Sequence, residues 1–384
     1  MFNKKLLNKF RNLDTPFYYY DLDILNKNIS NLKSSIQKNN KVHFALKANF
    51  NNRILSIIKS SGLGVDAVSS NEIKKALEIG FSSKDIVFAG VGKTDTEIIY
   101  SINKEISYIN CESFEEINVI NKISRNLNKL SSISIRVNPC IETGTHKNIE
   151  TGNKQNKFGI DINEIAHLID RIKNFKNVLV VGFHFHLGSQ IESDLPFLKL
   201  SEKANELNNL FYDKKFNIKY INVGGGLSID YEEPLINPVS NFTRFFQIFN
   251  NKLLLKKNQE IHFELGRSIV GQCGFLVSKV LFTKKSFNTD FLIIDAGMND
   301  LIRPALYNSL HKIINISSKN EKNMNYDIVG PICESSDIFA NNYNLPISSR
   351  NDHIVICSTG AYGESMSSNY NLRNSLNSYF SDTI

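Results

Sequence analysis

Residues 41–49 read KVHFALKAN. The run from Val42 to Leu46 is mostly apolar and predicts a short buried strand, which Lys47 ends with an ammonium group. A lysine there is ordinarily surface charge, so its meaning depends on what stands at the ends of the other strands. Seven further β-rich runs follow: GVDAV (64–68), DIVFAG (85–90), ISYIN (106–110), SISIRVN (132–138), VLVVGFHF (178–185), IKYINVGG (218–225) and EIHFE (260–264). Between them lie stretches with apolar residues at helical spacing, such as SSNEIKKALEIG (69–80) and VSNFTRFFQIFNNKLLL (239–255). Eight strands alternating with helices predict an α/β fold, a closed TIM-like (β/α)8 barrel over residues 31–270. An open doubly wound sheet shares the pattern, because periodicity does not report closure.

Beyond Gly266 the pattern changes. CGFLVSKVLFTKK, DFLIIDAG, YDIVGPICE and DHIVICSTG are β-rich and separated by turns, which predicts a C-terminal all-β domain over 271–384. The early segment TPFYYYDLD is β-like too, so residues 1–30 are assigned to that domain.

The 384-residue chain is 41% hydrophobic and 22% charged, as in an ordinary soluble globular protein. Its net charge of +7 is spread over short Lys- and Asn-rich runs without a basic helix or aromatic interleaving, which argues against nucleic-acid binding. Five cysteines without a CxxC pair argue against a disulfide framework and a structural metal site, and favour a reducing cytoplasm. No apolar run is long enough to span a membrane, and the N-terminus lacks the apolar core of a secretory signal.

In a barrel of this kind chemistry collects at the C-terminal ends of the strands. In order, those ends carry Lys47, Asp66 with Ser69, Gly90, Asn110, Arg136 with Asn138, His184 with His186, Gly224 to Gly226, and Glu264 with Arg267. The NVGGGL run leaves backbone N–H groups free to approach an anion, although three glycines are also an ordinary tight turn. A nucleophilic lysine, an anion cradle and a carboxylate suited to a ring nitrogen together match what pyridoxal 5'-phosphate requires.

FALKAN, GVDAVSSNE, RVNP, NKFGI, HFHLGSQI, NVGGGL, ELGRSIV, DAGMNDLIRPALY, GPICESSD and GAYGESMSSNYN follow one another in the chain. In that order they resemble the fold-type III, alanine-racemase-like pyridoxal phosphate decarboxylases, from about Thr15 to Asn371. RPALY, GPICES and SMSSNYN are similar to the branch acting on diaminopimelate. The resemblance implies decarboxylation of meso-diaminopimelate to lysine, with Lys47 holding the cofactor as a Schiff base. It implies that Asp66, His186, Ser189, Gly225, Gly226, Glu264, Gly266, Arg267 and Tyr362 contact the cofactor, with His186 on the ring face and Glu264 at the pyridine nitrogen. Arg267, Arg303, Tyr307, Glu334 and Tyr362 would contact this small-molecule substrate. Cys333 would donate the proton from the partner subunit of a homodimer with shared active sites.

Blander readings accompany these. Asp66 could only cap the helix after it, His184 could be a satisfied core histidine, Glu72 a helix-surface charge, and Cys111, Cys140, Cys273 and Cys357 small core residues. Decarboxylation of another basic amino acid, or a noncatalytic barrel that only binds the cofactor, are the rival functions. Two departures stand out from the family pattern. Leu265 replaces the usual proline before Gly266, and the tail LRNSLNSYFSDTI replaces an Arg-Pro-rich final strand, so the last strands of the β domain are expected to be absent or rearranged.

Overall fold

The structure, a computed structural model, describes residues 2–144, 152 and 156–384. The chain divides into two compact units, one of Asn31–Ser228 with Asn241–Gly266, the other of Met1–Ser30, Ile229–Ser240 and Arg267–Ile384. Strand β1 (Phe17–Tyr20) belongs to the second unit. The first unit holds β2 (Asn40–Ala45), β3 (Gly64–Ala67), β4 (Ile86–Phe88), β5 (Tyr108–Cys111), β6 (Ser131–Asn138), a two-residue β7 (Ile160–Asp161), β8 (Val178–His184), β9 (Tyr220–Asn222) and β10 (Glu260–Leu265).

Each principal strand pairs in parallel with the next, from β2 through β6, then β8, β9 and β10, and β10 returns to β2 with Phe263 opposite Val42. That last pairing closes an eight-stranded barrel and excludes the open sheet. All eight expected strands are present in the expected order, because each is a short β-rich run followed by a polar turn. Those turns start the helices: Asn51, Ser69, Thr94 and Ser113 each accept a backbone N–H at a helix N-terminus. Gly80, at φ +94°, ends the helix that Ser69 begins. The helix Phe242–Lys252 buries Phe242, Phe245, Phe246 and Phe249, and the Phe246 ring meets Phe263 of β10 edge-on at 4.5 Å. Such a buried phenylalanine contributes about 1.5–3 kcal/mol, enough to fix this helix on its strand.

The second unit is a mostly antiparallel sheet around the long strand β11 (Gly274–Ser286). β11 pairs antiparallel with β1, with β12 (Thr289–Ile294) and with β16 (His353–Ile356). β13 (Ile313–Asn315) lies on β16, and β12 leads to β14 (Asn323–Val329) and β15 (Ile338–Pro346). The early segment joins this sheet through β1. β15 is not expected from its sequence, IFANNYNLP, because its asparagines read as a turn; cross-strand amide pairs such as Asn323 with Asn344 hold it on β14. The tail forms a short strand, β17 (Ser378–Phe380), parallel to β1, where Tyr379 packs edge-on against Phe17 and Phe380 stacks on Tyr20. Among the described residues no helix is long and apolar enough to cross a membrane.

Candidate active site

Lys47 lies in the single turn Leu46–Ala48 that follows β2, with its Nζ 3.6 Å from Oδ2 of Asp66 on β3. Asp66 is fully buried, and neither carboxylate oxygen receives a hydrogen bond. Burial, then repulsion from Glu264, raises its pKa well above the ordinary range, against the pull of Lys47. Ser69, not Asp66, caps the following helix, which removes the capping explanation for Asp66. Glu72 is half-buried and accepts the Val68 N–H, so it is more than a free surface charge; it closes the turn between β3 and its helix.

Glu264, near the end of β10, is supported on both oxygens. Oε2 is 3.0 Å from His184 Nε2, while Oε1 accepts from Asn222 at 2.8 Å and from Asn110 at 3.4 Å. Burial alone would raise its pKa, but His184, with His186 and Lys47, outweighs burial and holds the carboxyl far below its usual range. His184 therefore does more than fill the core. Asn222 also donates to Tyr108 Oη at 3.3 Å and accepts the Gly224 N–H at 2.9 Å, so one amide joins the carboxylate to the glycine turn. Beneath it Tyr108 Oη lies 2.9 Å from His262 Nδ1, and His262 Nε2 lies 3.2 Å from Glu260. With Glu260 as acceptor, His262 donates from Nε2 and accepts the phenol at Nδ1; burial keeps its pKa low.

The glycine turn accepts no side chain. A Cβ on Gly224, whose φ is +70°, would lie 2.4 Å from the Phe185 carbonyl, and one on Gly225 would lie 2.0 Å from that of Glu264. Gly226 receives the Ile191 N–H at 2.8 Å, which pins the turn carrying Gly188 and Ser189 against the glycines. His186 Nδ1 accepts the Gly225 N–H at 3.2 Å; desolvation, then the charges of Lys47 and Arg136, lower its pKa, so the ring is neutral with its proton on Nε2. Gly266 passes the Lys47 turn so closely that a Cβ would sit 2.8 Å from that of Ala48. Nothing here needs a proline at 265, since Leu265 is buried within β10. RVNP and NKFGI meet as well: Arg136 pairs with Glu112 at 2.7 Å, Glu112 accepts the Gly159 N–H, and Phe158 covers the guanidinium at 4.6 Å.

The remaining residues belong to the β-rich unit. Arg267 Nη1 donates to Tyr231 Oη at 2.6 Å, and its guanidinium lies 4.9 Å from the ring centre of Tyr362, a residue at φ +58°. Arg303 starts the short helix Arg303–Tyr307, is 5% exposed, and its Nε–H has no hydrogen-bond partner. Tyr231 was not singled out from sequence, because it stands between two barrel strands in the chain while its segment packs with the other unit. Cys333 and Glu334 form a second, exposed group in which the Cys333 N–H donates to Asn371 at 3.0 Å and Tyr370 donates to Glu334.

The barrel group fits pyridoxal phosphate. It offers an amine beside an unspent buried carboxylate, a second carboxylate held ionised for a ring nitrogen, and a turn of bare backbone for an anion.

Residues 22–271 match the family model described as pyridoxal-dependent decarboxylase, pyridoxal binding domain. The chain is 45% identical over 380 residues to a diaminopimelate decarboxylase of Bacteroides thetaiotaomicron, covering 98% of each chain. It is 38% identical over 363 residues to a diaminopimelate decarboxylase of Aquifex aeolicus, covering 94% of this chain and 84% of that one. The crystal structure of diaminopimelate decarboxylase from Helicobacter pylori complexed with L-lysine superposes with a TM-score of 0.92 at 38% identity, over 97% of this chain and 93% of that one. The chain belongs to the pyridoxal-dependent decarboxylase family, and within it to the diaminopimelate decarboxylases.

Proposed function

We propose that the protein decarboxylates meso-2,6-diaminopimelate to L-lysine and carbon dioxide, using pyridoxal 5'-phosphate carried on Lys47. The observation that carries this reading is Lys47 itself: an ammonium at the end of a barrel strand, 3.6 Å from a buried carboxylate without hydrogen-bond donors, in a chain that resembles diaminopimelate decarboxylases nearly throughout. Gly225, Gly226, Gly266 and Ser189 would line the phosphate, with the backbone at Arg267, while the Gly225 N–H itself stays on His186. The neutral ring of His186 would lie on the cofactor face, and Tyr362 would touch cofactor and substrate. When bound, the cofactor accepts the electron pair that the departing carboxylate leaves. Glu264, kept ionised by His184, holds a proton on the pyridine nitrogen, and Asp66 steadies the Lys47 amine. Lys47 would hold the cofactor until a substrate amine arrives, and its freed amine would stay beside Asp66.

The substrate's second amino-acid head sets its specificity. Its carboxylate needs a cation, for which Arg303 offers an unspent Nε–H, with Tyr307 on the same short helix and Arg267 sharing the Tyr231 ring with it. Its ammonium needs an anion, which Glu334 supplies. Cys333 Sγ returns a proton to the carbon that lost carbon dioxide. Both stand on an exposed loop, which suits residues that complete the site of a second subunit in a cytoplasmic homodimer.

A hydrogen bond to a charged group is worth about 1.5–3 kcal/mol, and leaving such groups unpaired costs more, so two of them favour diaminopimelate over ornithine by at least about a hundredfold. Comparing kcat/KM for both substrates in wild type and Arg303→Ala tests this. Loss confined to diaminopimelate supports the reading; equal loss on both, or a wild-type preference for ornithine, overturns it.

A further inference from the structure

Arg267 and Arg303 are 6% and 5% exposed, two like charges in a nearly dry part of the β-rich unit. Tyr231 serves both. Its hydroxyl oxygen accepts from Arg267 Nη1 at 2.6 Å, and the Arg303 guanidinium lies 5.4 Å from its ring centre. The groups acting on Arg303 are three phenols, Tyr231, Tyr362 and Tyr307, and the second guanidinium. The Tyr231 ring is held in turn by His311, edge-on at 5.1 Å, whose Nδ1–H is fixed on the Cys357 carbonyl at 2.8 Å. Burial alone would raise the Tyr231 pKa, but the two guanidiniums outweigh burial and lower it. Arg303 is thus positioned through the ring face, which uses none of its N–H groups and leaves Nε–H without a protein acceptor.

We propose that Tyr231 is a positioning residue for the substrate's distal carboxylate: its hydroxyl holds Arg267, its ring holds Arg303, and together they keep the Arg303 Nε–H available to that anion. This rests on the reading of Arg303 as the carboxylate-binding residue. A glutamate near Arg303 would neutralise it and occupy its N–H groups, and a lysine would repel it; a phenol lets two cations lie close together while the donor stays unspent.

The test is calorimetric titration of the cofactor-loaded enzyme with L-lysine, which keeps the distal carboxylate, and with 1,5-diaminopentane, which has the same amines and no carboxylate. The readout is the ratio of the two affinities. In Tyr231→Phe, which keeps the ring and removes the hydroxyl, lysine should bind about tenfold more weakly while diaminopentane changes less than about twofold, the loss of roughly one hydrogen bond to a charged group. Tyr231→His, with a smaller polar ring, serves as a second variant and should also lower the ratio. Partial unfolding reduces the stoichiometry of both titrations and leaves the ratio unchanged, so a merely structural role does not imitate the effect. An unchanged ratio in both Tyr231 variants, with Arg303→Ala reducing it, overturns the role of Tyr231 alone. An unchanged ratio in Arg303→Ala overturns the reading of Arg303 on which it stands.

Discussion

Glu264 and Asp66 are carboxylates on neighbouring parts of one barrel interior, and their surroundings drive them in opposite directions. Asp66 receives no hydrogen bond and is raised by burial, whereas Glu264 has an imidazole on one oxygen and two amides on the other. That division gives one barrel both an anion for a pyridine nitrogen and a carboxyl beside the amine of Lys47. Glu264 was legible from ELGRSIV. What makes it useful was not, because Asn110, His184 and Asn222 stand on three other strands and only barrel closure brings them to it. Because its folded pKa lies below the ordinary 4.5, the stability Glu264 brings is present above that value and is lost as pH falls through the folded one. His184→Ala raises the folded pKa and leaves a buried charge unpaired. It is expected to cost about 3–5 kcal/mol in urea unfolding at neutral pH and to start acid unfolding at a higher pH. A change below about 1 kcal/mol with an unmoved acid midpoint would show that the histidine does not hold the carboxylate ionised.

At the scale of elements, the glycine turn after β9 connects the two halves of the cofactor's requirement. Gly224 takes its N–H partner from Asn222, which holds Glu264, and the Glu264 N–H returns to the Gly224 carbonyl at 2.9 Å. The turn and the Glu264 carboxylate are therefore tied to the same amide. Gly225→Ala places a methyl 2.0 Å from the Glu264 carbonyl, so backbone must shift. Overpacking of this kind costs about 1–3 kcal/mol. Because the strain falls on the anion cradle, pyridoxal phosphate affinity is expected to drop at least about tenfold, read by fluorescence titration of cofactor-free protein. Unchanged affinity would mean the turn does not hold the phosphate. The barrel strands were readable because each combines a β-rich run with a polar exit. β15 was not, since its asparagines pair across strands where sequence reading expects a turn. Tyr231 escaped for a different reason: chain order places it inside the barrel, and packing does not.

Across the whole assembly, Cys333 and Glu334 are proposed to serve the site of a second copy. Random pairing of inactive Lys47→Ala and Cys333→Ala chains gives half heterodimers, each with one intact site of two, so mixing should restore about a quarter of wild-type activity. Chains that demonstrably exchange subunits and stay inactive would place Cys333 in its own subunit's site, or outside the site altogether. The proposed reaction is the decarboxylation of meso-diaminopimelate. It is tested most directly by incubating the purified protein with pyridoxal phosphate and, separately, meso-diaminopimelate, ornithine, arginine and lysine, and measuring released carbon dioxide and the amine product. Carbon dioxide and L-lysine are expected in equal amounts from meso-diaminopimelate, at a rate at least about a hundredfold above any other substrate. Faster release from ornithine or arginine, or none from meso-diaminopimelate by protein that has taken up the cofactor, would contradict it.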